Sequence, residues 1–549
     1  MNRIKFLLIA VVILGFVLRF YQLGKTPNGL EWDEVAIGYD AYSVLKTGRD
    51  QFGKFLPLTF RSIDDYKPPL YEYLAIPPIA LFGLNAYAVR FPSAFFGSLT
   101  VLLTFFLVKE LLRKVSIRED GKNIIALLSS FLLAVSPWHL QFSRTTFEVN
   151  LGDFLLVSGV TAFLLGLRKK NYLILSSLIF GLGFYSYHSV RVVMPFLFLV
   201  LIAVNLKKLL LRKKEVIFSI LMFFLLFIPL APSMFSPEVQ MRLRVTNVSN
   251  IFNDLTMNKK MELTRAADNI YSNKIQSTLF HSDKIILART VLNNYMVHFS
   301  PDFLFINGDV PLHHAPDFGL LYFWEALFLI TGFIVFFRKY LNSVSLILIA
   351  WFLVAPVPAA VTLQVPHAVR TELFLPTFQI FTAIGLYEFI LLLKKFSKYK
   401  TIVLGIITLL FLYNCGFYFH QYYQHLNFEL SDKWLYGRQE AALYTDSVKD
   451  RYQKIYVSPR LEQPHLFWLF YTAYDPKKYL SEGGTVSGGW AEEKNHFDKY
   501  LFTSFDYYKI RKEKNLLLVG IPDDFDPGAD KVKVIKYLDG KDAIWIVAP

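Results

Sequence analysis

Glu31-Trp32-Asp33-Glu34 stands shortly beyond the first long hydrophobic run, and Asp64-Asp65-Tyr66-Lys67-Pro68-Pro69-Leu70 follows it. An acidic pair beside apolar residues, then a lone lysine ahead of two prolines, supplies a proton acceptor and a cation able to hold an anion. Trp32 and Val35-Ala36-Ile37 place the pair against an apolar surface, where desolvation raises a carboxylate pKa towards that of a useful base. What surrounds this stretch decides what kind of molecule it belongs to.

With 54% hydrophobic residues, 53 Phe and 31 Tyr in 549 residues, and a positive mean hydropathy, the bulk of the chain belongs in lipid. The net charge of +14 does not indicate nucleic acid, because the basic residues form short clusters between apolar runs. Cys415 is the single cysteine, so neither a disulfide framework nor a cysteine metal site is expected. Arg3 and Lys5 precede an apolar run from Phe6 to Val17 that continues into Leu18-Arg19-Phe20-Tyr21 without a cleavage pattern, which reads as a retained first span with an aromatic interfacial end.

Runs able to cross about 30 Å of hydrocarbon lie near residues 4–22, 86–109, 123–138, 147–168, 172–188, 190–206, 215–235, 318–337, 343–363, 371–393 and 401–419. If these eleven alternate, the clusters at Arg3/Lys5, Arg113/Lys114/Arg118/Lys122, Arg168/Lys169/Lys170, Lys207/Lys208/Arg212/Lys213/Lys214, Arg338/Lys339 and Lys394/Lys395/Lys398/Lys400 share one side. The positive-inside bias makes that side cytoplasmic, with the N-terminus inside and the C-terminal tail outside.

Three segments then lie outside. Loop 23–85 carries Val35, Ala36, Ile37, Ala41, Val44 and Leu45 at helical spacing, ended by Gly48, which predicts a short amphipathic helix on the membrane surface. Loop 236–317 is polar, with a helix expected between Met261 and Met296. Residues 420–549 change to a soluble composition, with strand-like runs at 454–458, 515–519, 531–535 and 543–547, predicting a small α/β domain.

Besides Lys67, the basic residues Arg90, Arg144, Arg191 and Arg370 fall at outer helix ends, where the orientation bias disfavours them. Glu148 follows Arg144 by four residues, and His188 and His367 precede Arg191 and Arg370 by three, spacings that share one face of a continuous helix. Such a set on the side of the acidic loop points to an anionic ligand. His313-His314 near Asp309 and Asp317 match no established ligand spacing, so no cofactor is called for and a divalent metal stays open. Asn247-Val248-Ser249 fits a glycosylation triplet, a frequent chance match.

Glu31-Trp32-Asp33-Glu34 after span one, Tyr66-Lys67-Pro68-Pro69-Leu70, Val89-Arg90-Phe91-Pro92-Ser93 and Ser143-Arg144 leading to an acid resemble the GT-C glycosyltransferases related to dolichyl-phosphate-mannose protein mannosyltransferases and the lipid A aminoarabinose transferase. The similarity runs over residues 1–235, and Pro366-His367-Ala368-Val369-Arg370 with Pro376 resembles the same group. Together with the apolar runs it predicts a mainly α polytopic membrane protein of GT-C type, residues 1–419, and the change of composition after Phe419 appends the outer α/β domain, residues 420–549; the expected location is a prokaryotic plasma membrane. It further implies transfer of a sugar from a polyprenyl-phosphate carrier to a lipid, glycan or protein acceptor at the outer face. Asp33 would take the acceptor proton with Glu34 beside it, and Lys67 would bind the carrier phosphate. Arg370, with Arg191 or Arg144, would stabilise the departing phosphate, and Glu148, His188, His367 and Arg90 would support the site. Where relatives place Asp at the start of span four this chain has Glu148, with Asp153 a turn later. The Trp-Trp-Asp signature of oligosaccharyltransferases is absent, and residues 420–549 do not resemble sugar-binding repeats. The competing reading, a transporter or flippase of lipid-linked sugars, expects charges near the midplane and often an internal repeat.

Overall fold

In hydrocarbon every backbone polar group must be satisfied within its own segment, so apolar runs of this length fold as helices. The computed structural model describes residues 2–549 apart from 63–64, 235, 237–246, 254, 272–273, 343, 395–399 and 488–493. Asp64, Lys395 and Lys398 lie outside the described residues.

The first ten helices are α1 (Asn2–Phe20), α2 (Trp32–Thr47), α3 (Leu70–Phe82), α4 (Ala86–Leu111), α5 (Glu119–Val135), α6 (Pro137–Phe142), α7 (Glu148–Gly166), α8 (Asn171–Gly183), α9 (Val190–Leu210) and α10 (Lys213–Met234). Glu325–Val335, Leu346–Val354, Thr377–Leu393 and Lys400–His420 follow, so each expected span has a helix at its centre. Among the described residues five are long and apolar enough to cross a membrane, or six if the bent pair Ala368–Phe374 and Thr377–Leu393 counts as one. At 1.5 Å per residue, the 13 residues of α8 fall short of the hydrocarbon thickness, as the short fifth run foreshadows.

Helix α7 is the buried axis, packed on α4, α8 and α9. Its small residues permit the approach: a Cβ added at Gly152 would lie 2.5 Å from Val190 Cγ2. At the periphery, α10 and the continuous helical run Lys400–Glu429 leave most of their apolar surface exposed, as lipid-facing helices do. That run continues ten residues past Phe419 before the chain enters the sheet region.

The C-terminal segment forms a six-stranded sheet in the order β4-β5-β3-β6-β8-β7, from β3 (Lys454–Val457), β4 (His496–Phe497), β5 (Tyr500–Phe502), β6 (Leu516–Gly520), β7 (Lys531–Lys536) and β8 (Asp542–Val547). β3 runs parallel to β5 and β6, and the other pairings are antiparallel. The four expected strands are present, and β4 and β5 are additions too short to read from sequence. Among the described residues of loop 236–317 the single expected helix is three: Leu255–Tyr271, Lys274–His281 and Asp283–Val297.

The amphipathic helix expected on the membrane surface is α2, capped by Glu31 and closed by left-handed Gly48, but it does not lie on an open surface. Residues Glu34 to Ala41 are all buried, because the helix Pro464–Tyr471 of the C-terminal segment covers it. Tyr39 donates to the Tyr474 carbonyl at 3.1 Å, Thr485 N–H donates to the Gln51 carbonyl at 3.0 Å, and Asn28 Nδ2 to Asn427 O at 3.1 Å. Loop 23–85 and the last segment of the chain thus share one core.

Gly29 tests that docking. A Cβ there would lie 1.7 Å from the Trp434 carbonyl oxygen, a backbone atom that cannot swing aside. Gly29→Ala should destabilise by about 1–3 kcal/mol or more, as overpacking does, read as a lowered melting temperature in detergent. Gly416→Ala, where nothing lies within 4 Å, should leave it unchanged or slightly raised.

Candidate functional site

After α1 ends at Phe20 the chain runs without regular structure to Glu31, and its carbonyls need donors away from bulk water. Two guanidiniums supply them. Arg90, in the second turn of α4, donates to the carbonyls of Leu23 (3.2 Å), Pro27 (2.8 Å) and Gly29 (2.6 Å). Arg144 donates to those of Leu18 (2.7 Å), Arg19 (3.1 Å) and Thr26 (3.2 Å), and to the Tyr422 hydroxyl (3.1 Å). Both arginines are fully enclosed.

Glu34 completes this frame. Arg90 grips its carboxylate in a two-pronged pair, Nε to Oε1 at 2.9 Å and Nη2 to Oε2 at 2.8 Å. Thr146 donates to Oε1 through both N–H (3.0 Å) and Oγ1 (2.9 Å). Glu34 therefore joins α2, α4 and the turn before α7, with its side chain 4% exposed.

Asp33 is the opposite case. Its side chain is 39% exposed, and Oδ1 accepts from Lys67 Nζ at 2.8 Å and from Ser62 Oγ at 3.1 Å. Both partners come from a short hairpin in which β1 (Phe60–Arg61) pairs antiparallel with β2 (Tyr66–Lys67). Pro68 lacks the N–H to extend that ladder, and Pro69 caps α3, so Lys67 is fixed at the strand end. The Leu70 N–H donates to the Tyr185 carbonyl (2.9 Å), and His188 Nε2 lies 3.1 Å from the Tyr66 carbonyl. The buried Lys67 ammonium also lies 3.4 Å from Glu148 Oε1, at the first turn of α7. Burial alone would lower the Lys67 pKa, but Asp33 and Glu148 outweigh it and hold the lysine charged, above its ordinary value. Burial, reinforced by Asp33, pushes the neighbouring Glu31 carboxyl well above its usual range. Deeper in loop 23–85, burial and then Asp50 push Asp40 up to about 8, against two hydrogen bonds from Gln51.

The expected pairing of Arg144 with Glu148 on one helical face does not form. The helix stops at Phe142 and restarts at Glu148, so Arg144 turns to the first loop and Glu148 to Lys67. A similar break lies between α8 and α9, where His188 meets Tyr66 and Arg191 Nε donates to the Phe184 carbonyl at 2.9 Å.

His367 and Arg370 sit in a second cluster. His367 caps the short helix Ala368–Thr371, and Arg370 Nη1 donates to Thr362 Oγ1 at 2.6 Å. The His367 N–H donates to His298 Nε2 at 3.2 Å, an acceptor because burial lowers the His298 pKa to about 4 and keeps the ring neutral. His313 Nδ1 lies 2.6 Å from Asp309 Oδ2, which also accepts the Ala368 N–H at 2.7 Å. The His313 ring packs on Phe147, the neighbour of Glu148, so this cluster adjoins the lysine site.

Sequence reasoning missed Ser62, Thr146 and Arg19. The first two are ordinary loop hydroxyls without a signal. Arg19, taken as part of an interfacial helix end, is fully buried and donates to the carbonyls of Ala134 (3.1 Å) and Leu133 (3.3 Å) while meeting His139 Nδ1 at 2.6 Å.

The Glu34–Arg90 pair yields a direct expectation. Removing one partner of a buried ion pair costs about 3–5 kcal/mol, so Glu34→Gln and Arg90→Met should each lower the melting temperature sharply. Arg90→Met should cost more, since three loop carbonyls lose their donor as well. The double variant should lose less than the sum; strict additivity in that cycle would show that the pair is not coupled.

Residues 66–232 match the family described as dolichyl-phosphate-mannose-protein mannosyltransferase. Over 177 residues the sequence is 29% identical to an uncharacterized protein of Aquifex aeolicus (strain VF5), a match spanning 32% of this chain and 32% of that relative. Among solved structures, apo ArnT from Cupriavidus metallidurans is similar with a TM-score of 0.56 at 12% identity, covering 98% of this chain and 97% of ArnT. The Archaeoglobus fulgidus oligosaccharyltransferase is similar with a TM-score of 0.53 at 13% identity, covering 95% of this chain and 69% of that one. The chain therefore has the GT-C fold, and it resembles ArnT and the dolichyl-phosphate-mannose-protein mannosyltransferases.

Proposed function

We propose that this chain is a membrane glycosyltransferase that moves a sugar from a polyprenyl-phosphate carrier to a hydroxyl or amine acceptor at the outer membrane face. The observation that carries the reading is the Asp33–Lys67–Glu148 constellation, a buried ammonium between two carboxylates of which only Asp33 reaches solvent. ArnT has been solved bound to undecaprenyl phosphate and the archaeal oligosaccharyltransferase with a dolichol-phosphate, which supports a lipid phosphate as the carrier.

Asp33 is the general base in this reading. An ammonium has three N–H donors; that of Lys67 pairs with Asp33 at 2.8 Å and faces Glu148 at 3.4 Å, and a phosphate oxygen would take an N–H left over. An anion there draws Lys67 away from Asp33 and frees the carboxylate for the acceptor proton, so the base becomes competent when the donor is in place. Attack at the anomeric carbon opposite the departing phosphate inverts its configuration. Arg191 and Arg370 are the remaining cations for that phosphate. Arg144 and Arg90, enclosed by loop carbonyls, position the loop instead of holding the carrier, and Glu34 orients α2 through Arg90. A transporter reading is disfavoured because this constellation lies in the first loop and its neighbouring helix ends.

Single-turnover transfer from a purified lipid-linked sugar tests the assignment. Asp33→Asn should retain carrier binding and lose about 10²–10⁴-fold in rate. Lys67→Ala should weaken carrier binding in a protein that still melts cooperatively. Wild-type rates in both variants would overturn the site.

Eleven crossings with the N-terminus inside place residues 430–549 outside. With Cys415 replaced by Ala, a cysteine at the exposed Lys541 should react with a membrane-impermeant maleimide on intact cells. Labelling only after lysis would reverse the topology and the side on which the reaction runs.

A further inference from the structure

Lys109, Arg113, Lys122 and Arg168 come from three helix ends and converge on one cavity of about 300 Å³. Lys109 lies in the last turn of α4 with Arg113 just beyond it, Lys122 lies in the first turn of α5, and Arg168 follows the end of α7. At 1.5 Å per residue along α4, Lys109 stands about 28 Å from Arg90. Glu148, which meets Lys67, begins α7, so the cavity lies at the other end of the bundle from the lysine site.

Among the described residues lining the cavity, two carboxylates answer four cations. Glu110 pairs with Arg168 and, at 3.6 Å, with Arg113 Nε; Glu119 pairs with Lys109 at 3.7 Å and Lys122 at 3.6 Å. A surplus of two positive charges remains, and the Lys122 and Glu110 side chains are only 12% and 11% exposed, where bulk salt screens poorly. Arg212 adds a further cation alongside, donating to the carbonyls of Gly166 (3.0 Å) and Arg168 (3.2 Å). The orientation bias asks only that basic residues lie in the loops on one side; it does not gather them around a hollow. Like charges brought together there repel one another, and an anion in the hollow offsets that repulsion.

The rest of the lining is apolar: Phe105, Phe106 and Leu165. Phe106 is 42% exposed, so this wall continues onto the outward side of a helix apolar enough to span a membrane. A free inorganic anion makes no use of such a wall, whereas a phospholipid has an anionic head for the cations and acyl chains for the phenylalanines. A volume of about 300 Å³ is the lower end of small-ligand sites, room for a headgroup with its chains left outside.

We propose that this cavity binds the phosphodiester headgroup of an anionic phospholipid, with an acyl chain along Phe105 and Phe106, and so ties the ends of α4, α5 and α7 together. In the orientation proposed above this is the cytoplasmic end, where basic pockets between transmembrane helices take such headgroups. The site is independent of the roles assigned to Asp33 and Lys67.

The probe is phosphatidylglycerol, titrated into delipidated full-length protein in detergent and read as the melting temperature, with phosphatidylcholine and inorganic phosphate in parallel. Phosphatidylglycerol should raise the melting temperature saturably, since a ligand of the native state stabilises it by mass action, and the other two should not. The double variant Lys109→Gln/Arg113→Gln should weaken phosphatidylglycerol binding by about 30-fold. Glu119→Gln, at a side chain 65% exposed, should act in the opposite direction and tighten binding by about five-fold. Arg3→Gln/Lys5→Gln removes the same charge from an exposed stretch outside the cavity and should leave binding unchanged. Equal stabilisation by phosphatidylcholine would overturn the proposal by removing the headgroup, and stabilisation by inorganic phosphate alone would leave a free-anion site without a lipid. An equal loss in Arg3→Gln/Lys5→Gln would reduce the effect to diffuse surface charge. If the Lys109→Gln/Arg113→Gln protein does not fold, Glu119→Gln decides: unchanged or weaker binding there overturns the site.

Discussion

Six carbonyls between Leu18 and Gly29 take their hydrogen bonds from two guanidiniums, Arg90 and Arg144, and the site hangs from that exchange. An unmet buried carbonyl and an unpaired buried cation are each unfavourable; together they cancel, provided the geometry is fixed. The pairing of Arg90 with Glu34 then sets where α2 begins, and the residue before Glu34 is Asp33. One carboxylate is locked inward and its neighbour is left outward.

The same exchange revises an inference from charge placement. Cations at outer helix ends look like an anion site because the orientation bias disfavours them there. For Arg90 and Arg144 the structure supplies another cause, an irregular loop needing dense donors at low dielectric. A guanidinium's five N–H groups meet that need better than a lysine's three. Lys67 answers to two carboxylates instead, so the anion argument rests on fewer residues than the sequence suggested.

Local patterns were legible wherever local physics decided the outcome. The helix through Val35 and Leu45, its stop at Gly48, the apolar runs and four of the six strands in the C-terminal sheet follow from periodicity and turn chemistry. The contact between Asp33 and Lys67 does not follow from spacing; the sequence put both in one site with separate roles but did not pair them, and the hairpin that does so is only two residues deep on each side. α3 was unreadable for a different reason. Pro77 and Pro78 mark a break in a soluble chain, but an apolar helix tolerates them when its neighbours absorb the lost hydrogen bonds. The i, i+4 inference for Arg144 and Glu148 failed because it assumed an unbroken helix, while Thr145 and Thr146 turn the chain and lend Thr146 to Glu34.

The burial of α2 under the C-terminal segment carries the argument furthest along the chain. A base must hold its geometry while an acceptor approaches, and a helix resting on a fluid membrane surface would not hold it. Here Val35, Ala36 and Tyr39 are packed in one core with Phe467, Trp468 and Phe470, and Gly38 has no room for even a methyl group beside Phe470. The sheet region thus acts on Asp33 without touching it. In the proposed reaction, changes in that region that leave the membrane helices intact would act on the orientation of Asp33, and so on the rate of proton removal, before they act on the carrier, whose proposed cations Lys67, Arg191 and Arg370 are anchored in other segments.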